Sequence, residues 1–173
     1  RGKTIISIKD ELQHCRNYMN IQKYRYKERF ETEYDISEEI YSFCTVKLIL
    51  QPILENAIYY GVGDMDEDDH PRILVRGFKK DEDIYLMVSD NGMGMRREDV
   101  ENILTDNQKV PKHGSGVGLI NVHTRIQLMF GAGYGLAVES EPDEGTTVTI
   151  HLPAIPYTKE NCELLETPGK PSR

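Results

Sequence analysis

The sequence predicts an α/β domain, and three observations carry that expectation. The chain has 173 residues, enough for one domain with a sizeable core. Stretches near Ser7, Lys47 and Gly114 place apolar residues at helical spacing. Between and after them, extended runs alternate apolar with polar residues or pair across short turns.

The bounds narrow the function classes. A net charge of -8 and a pI near 5.2 exclude the basic footprint of a nucleic-acid binder. No apolar run approaches bilayer length and no signal-peptide pattern opens the chain, so a soluble piece is expected. It begins with Arg1 rather than Met and reads as a fragment of something longer. Cys15, Cys44 and Cys162 are odd in number and unrelated in spacing, as reduced cytosolic thiols are, and no metal-ligand spacing occurs.

Residues 7–28 form the first helical pattern. Ser7 with Asp10 three places on is an imperfect capping box, and Ile8, Leu12, Cys15, Met19, Gln22 and Tyr26 share a stripe. That stripe is mixed in polarity, so the helix either packs on the domain or joins an intersubunit bundle. His14, beside it, reads as a solvated or hydrogen-bonded residue. Arg29 to Ile36 is a strand pattern, and Ser37 to Val46 a connection.

The next helix runs from about Lys47 to Tyr60, with Gly61 as its stop. Pro52 either kinks it or limits its first turn. Asn56, set among Leu50, Ile53, Leu54 and Ala57, carries a carbonyl oxygen suited to Mg²⁺, although an ordinary helix-surface residue fits as well. The acids between Gly63 and His70 lack the glycine and terminal glutamate of a calcium loop and read as a solvated segment.

Arg72 to Lys79 and Asp83 to Asp90 form a hairpin. In the second strand Ile84, Leu86, Val88 and Asp90 share a face, so Asp90 points inward. An inward carboxylate needs a donor, and the exocyclic amine of adenine is one; a turn with a capping Asp is the plainer alternative. Gly92 and Gly94 clear the following turn of side chains, leaving room for something flat.

Residues 95–113 are charged and polar apart from a possible short helix, Arg96 to Leu104, and a loop of that length is usually functional or mobile. A lid fits its place, with Lys109 and Lys112 in reach of phosphate or simply solvated. Gly114, Gly116 and Gly118 then precede the pattern Leu119, Val122, Ile126, Met129, Phe130; free amides at such a helix start accept phosphate oxygens. The spacing matches neither the dinucleotide fingerprint nor the G-x-x-x-x-G-K-[ST] loop. The last pair, Gly135 to Ser140 and Thr146 to Leu152, puts Thr146 on the face of Val148, Ile150 and Leu152, with its hydroxyl beside Asp90. Thr147 takes that place if a bulge shifts the register. After Pro153 the composition is that of a poorly ordered tail.

Together, L-Q-P-I-L-E-N-A-I from Leu50, D-N-G-M-G from Asp90, G-S-G-V-G-L from Gly114 and E-G-T-T-V-T-I from Glu144 resemble the boxes of the sensor histidine kinase ATP-binding domain, in the superfamily that also holds gyrase, Hsp90 and MutL. The L-Q-P form, with N-V-x-x-R-I-x-L-x-F-G from Asn121, is most similar to the LytS/YehU-type subfamily of membrane-bound bacterial kinases. The resemblance covers Ile5 to Pro153.

It implies a two-layer α/β sandwich of the Bergerat type, with a mixed sheet, helices on one face and ATP between sheet and mobile lid. It makes Asn56 the Mg²⁺ ligand and Asp90 the adenine reader. Gly92 and Gly94 become the base-side turn, Gly114, Gly116 and Gly118 the phosphate-side hinge, and Thr146 a second adenine contact. Residues 1–28 would end a dimerisation and phosphotransfer region, 29–153 form the catalytic domain, and 154–173 a disordered tail. The implied activity is transfer of the γ-phosphoryl of Mg-ATP to a histidine on the chain's own phosphoacceptor domain before Arg1, for relay to a response regulator. The parent would be a homodimer in the bacterial inner membrane, with this part cytoplasmic. A non-catalytic nucleotide sensor, an ATPase or a serine kinase of the superfamily are the alternatives. Two departures bear on them. Tyr59 and Tyr60 stand where many relatives carry Lys and His, and Pro52 stands where the hydrolysing members carry a general-base glutamate, which favours transfer over hydrolysis.

Overall fold

The computed structural model describes residues 3–105 and 115–167, and for residues 115–117 the backbone alone. Period-two runs become a five-stranded mixed sheet: β2 (Glu31–Ile36), β4 (Arg72–Lys80), β5 (Asp83–Asp90), β6 (Gly135–Glu141) and β7 (Gly145–Pro153), in the spatial order β2-β4-β5-β7-β6. β2 runs parallel to β4, and every other pair is antiparallel.

Register explains which residues meet. Val75, Val88, Val148 and Val138 lie side by side across the sheet, as do Gly77, Leu86, Ile150 and Leu136 one row away. Alternation sends Ile73, Val75, Ile84, Leu86, Val88, Val148, Ile150 and Leu152 into the core. The next row along is Ile73, Asp90, Thr146 and Ser140, so a carboxylate occupies what is otherwise a core position. On the opposite face Phe78, Tyr85 and His151 stack at centroid distances of 5.5 and 4.8 Å.

Helices α1 (Ile8–Arg25), α2 (Leu50–Asn56) and α4 (Ser115–Phe130) cover the core face. Ser7 caps α1 by accepting from the Asp10 amide at 3.1 Å, and the stripe Ile8, Leu12, Cys15, Met19 and Gln22 is buried against the domain. Glu11 is also buried, against expectation for a carboxylate. Its oxygens accept from the backbone amides of Leu48, Ile49 and Leu50 at 2.8, 2.9 and 3.0 Å, which answers the free donors at the start of α2. Arg125 of α4 closes the same loop by donating to the Lys47 carbonyl at 2.7 Å.

Several expectations change. The second helix starts at Leu50 rather than near Lys47, and Pro52 falls in its first turn, one of the two alternatives, where a missing amide costs nothing. Gly61 does not stop it: the chain continues through a π-type turn, Ala57–Val62, closed by the Gly63 amide on the Ile58 carbonyl at 2.7 Å. The connection from Ser37 to Val46 contains β3 (Cys44–Val46), which pairs antiparallel with β1 (Ile5–Ser7). The short helix near Arg96 is present as α3 (Arg97–Asn102).

The expected tail disorder is wrong for its first part. Residues 159–166 form α5 (Lys159–Glu166), capped by Thr158, and Glu166 accepts from the amides of Thr4 and Ile5 at 2.7 Å each. Upstream of it, Ile155 accepts from the Cys44 amide and Tyr157 donates to the Ser42 carbonyl. Local composition favours disorder there, but these partners lie over a hundred residues away in sequence and leave no local trace. Residues 168–173 lie outside the described residues.

Candidate functional site

The end of β5 holds the most unusual group of the domain. Asp90 continues the buried row of Ile84, Leu86 and Val88, and desolvation pushes its carboxyl up to about 6. The amides of Gly92 and Thr146 oppose that rise; the first donates to Asp90 Oδ1 at 2.9 Å. Among the described residues no side chain donates to this carboxylate, so hydrogen-bonding capacity remains for a ligand.

Glycines crowd around it. A Cβ on Gly61 would lie 2.8 Å from Asp90 Cγ, one on Gly92 would lie 2.3 Å from Gly61 Cα, and one on Gly145 would lie 1.9 Å from the Asp90 carbonyl oxygen. Gly94, at φ +69°, sets the turn against the β6–β7 hairpin, where a Cβ would meet the Glu141 carbonyl at 2.0 Å. Gly61 and Gly145 join the candidate site by packing on Asp90, and neither is among the residues expected from the sequence. Gly145 lies inside the E-G-T-T-V-T-I box, and Gly61 does not make the helix end expected of it.

Thr146, not Thr147, is the residue opposite Asp90, because β7 reaches β5 without a bulge. The contact differs from the expectation: the Thr146 amide serves Asp90, while its hydroxyl pairs with Ser140 Oγ at 2.8 Å. Ser140 Oγ also accepts from the Met95 amide at 2.8 Å and so ties the segment after β5 to the hairpin. Thr147 bonds Ser89 on the far face.

The other end of the site is a cavity of about 300 Å³ between α1, α2 and the first turns of α4, lined by Asn56, Glu55, Tyr59, Tyr60 and Gly118 together with residues of α1. Asn56 is only 8% exposed, yet its carboxamide has no hydrogen-bond partner among the described residues. Its amide lines the cavity, where a ligand, ion or water can complete it. Asp90 does not line this cavity; five residues of helix, from Asn56 to Gly61, join the two ends.

Gly118 lies inside α4 rather than ahead of it, and a Cβ there would sit 3.7 Å from Pro52 Cβ. Gly116 is likewise within the helix by its backbone. Gly114, Lys109 and Lys112 lie outside the described residues. His14 is exposed, in keeping with a solvated residue.

A family model described as histidine kinase-, DNA gyrase B-, and HSP90-like ATPase matches residues 45–156. Sensor histidine kinase YesM of Bacillus subtilis (strain 168) is 36% identical over 151 residues, covering 87% of this chain and 24% of that protein. Sensor protein LytS of Bacillus anthracis is 28% identical over 149 residues, 86% of this chain and 25% of that protein. The chain thus spans about a quarter of the length of these relatives. Among solved structures, a nucleotide-free catalytic domain of histidine kinase ThkA superposes with a TM-score of 0.67 at 13% identity, over 90% of this chain and 100% of that one, a likeness of fold.

Proposed function

The chain belongs to the histidine kinase-, DNA gyrase B- and HSP90-like ATPase family, and from that premise we propose that it is the ATP-binding catalytic domain of a bacterial two-component sensor histidine kinase. The observation that carries the reading is the pairing of a carboxylate at Asp90, held by two backbone amides and by no described side chain, with a carboxamide at Asn56 that lines the cavity, five residues of helix from the glycine packed on that carboxylate.

In this reading ionised Asp90 accepts from the exocyclic amine of adenine, and the bare turn of Gly92 and Gly94 admits the flat base against main chain. Thr146 contributes its amide, which holds the Asp90 carboxylate in place. Asn56 directs its carboxamide oxygen at Mg²⁺, which when bound spreads phosphate charge; its place on the cavity wall fits the role. Gly116 and Gly118 let the start of α4 come close to the phosphates.

Catalysis then rests on positioning: the γ-phosphoryl is presented to an imidazole nucleophile from the phosphoacceptor domain of the full-length protein, for relay to a response regulator. Pro52, one turn ahead of Asn56, supplies no general base for water, so transfer is favoured over hydrolysis. The full-length protein is a membrane-bound homodimer in this proposal, with residues 1–28 leading from its phosphotransfer region. Among the described residues no helix is long and apolar enough to cross a membrane.

Equilibrium titration with an ATP analogue, with and without Mg²⁺, tests the reading. Asp90→Ala is expected to abolish measurable binding, and Asn56→Ala to remove the Mg²⁺ dependence. Undiminished binding by Asp90→Ala would overturn it.

A further inference from the structure

We propose that Arg25 holds the polyphosphate tail of the nucleotide, so that α1 takes part in phosphate recognition beside α2 and α4; this rests on the nucleotide reading above. Arg25 stands in the last turn of α1 and lines the same cavity as Asn56 and Gly118. Among the described residues lining that cavity it is the one cation, and Glu55 is the one anion. Tyr59 and Tyr60, which project there from the turn after α2, bring no charge. A triphosphate entering a domain of net charge -8 therefore meets no other positive side chain among them.

The guanidinium is uncommitted. Arg25 forms no ion pair with a described residue, whereas Arg76, Arg96 and Arg97 each do, and Arg125 is spent on backbone carbonyls. Its side chain is exposed and able to swing, while its helix is fixed by a buried stripe and by the hold of Glu11 on the start of α2. Tyr18, two turns earlier on the same face of α1, reports the local field. Burial pushes its phenol up to about 12, Glu55 adds to the rise and Arg25 counters it. Tyr18 accordingly stays protonated, a hydroxyl donor on the wall of the same cavity.

The plainer role for a basic residue in a last helical turn is to complement the helix dipole, and Lys23 shares that turn with Arg25. The two roles separate in their readouts. A dipole partner changes helix stability and treats all ligands alike; a phosphate ligand discriminates ATP from adenosine and responds to salt.

Calorimetric titration of the whole chain with ATP and with adenosine decides between them. Arg25→Gln is expected to weaken ATP about tenfold, as loss of one charge-assisted contact at a solvent-open site does, and to leave adenosine within about twofold. The ATP affinity of the variant should fall less steeply with ionic strength, and Arg25→Lys should recover most of the loss. Unchanged ATP affinity in Arg25→Gln, or equal weakening of ATP and adenosine, would overturn the assignment and leave the nucleotide site standing. A wild-type chain that binds neither compound would overturn the nucleotide reading, and this inference with it.

Discussion

Gly61 lies so close to Asp90 that a Cβ added to it would sit 2.8 Å from both the carboxyl carbon and Oδ1. The helix after Asn56 and the end of β5 are thereby locked to one spacing, and Gly92 packs against the Gly61 backbone to complete the contact. Gly61→Ala must push the carboxylate away or lift the helix. ATP-analogue affinity is expected to fall at least tenfold while the melting temperature changes by only a few degrees, since no apolar core atom is lost. Thermal melts and titrations on the same variant check both halves.

The raised carboxyl of Asp90 has a pH consequence whose sign can be worked out. Its folded value of about 6 lies above an unfolded value of about 3.9. Between those values the unfolded chain ionises first and binds fewer protons, so the free domain loses stability as pH rises, by an order-of-magnitude figure of about 3 kcal/mol that persists above pH 6. Asp90→Asn is therefore expected to raise the denaturation midpoint at pH 7 while weakening the nucleotide.

Binding runs the other way. A purine amine requires the ionised carboxylate, so adenosine affinity should fall up to about tenfold per pH unit below 6, and Asp90→Asn should remove the dependence. Adenosine suits this measurement because phosphate groups titrate in the same range. A wild-type affinity that is flat from pH 7 to 5 would exclude Asp90 as the acceptor.

Glu11 is the structural counterpart of this functional acid. Glu11→Ala would leave three amides at the start of α2 without their acceptor, two of them buried, and is expected to cost about 3 kcal/mol in chemical denaturation. Glu11→Gln keeps one acceptor oxygen and should cost less. Because that loop sets the start of the helix carrying Asn56, both variants should weaken nucleotide binding more with Mg²⁺ than without.

What could be read from the sequence follows from how each feature is encoded. Five strands of the main sheet and the helices α1, α2 and α4 repeat their signal over six to eighteen residues, and period-two spacing alone put Asp90 inward. The pairing of β1 with β3 involves only three residues each, too few to show a period. Gly61 was visible as a glycine, but its purpose depends on a strand thirty positions away. Glu11 stood one place off the expected apolar stripe and could only read as a solvated acid until the amides of residues 48–50 were brought to it. Asn56 was legible through its box; that its amide lacks a partner is a property of the folded cavity.

The contacts of α5 likewise lie far from it in sequence. The helix adds no residue to the nucleotide site, yet Glu166 caps the amides of Thr4 and Ile5 at the start of β1, and α5 carries Cys162 to the buried Cys44, whose thiol is pushed up to about 12 by burial and then by Cys162. Ending the chain at Thr158 would return those amides to solvent and uncover Cys44, while the Ile155 and Tyr157 contacts to residues 42–44 remain. A loss of about 1–3 kcal/mol is expected, equal to a fall of roughly 3–10 °C in melting temperature for a chain of this size. Alkylation of Cys44 under native conditions should accelerate, since its protection depends on the helix. Nucleotide affinity should be unchanged, because Asp90, Asn56 and the glycines around them are held by β5, β7, α2 and α4; a parallel loss of affinity would mean that α5 supports the site through β1 and α1.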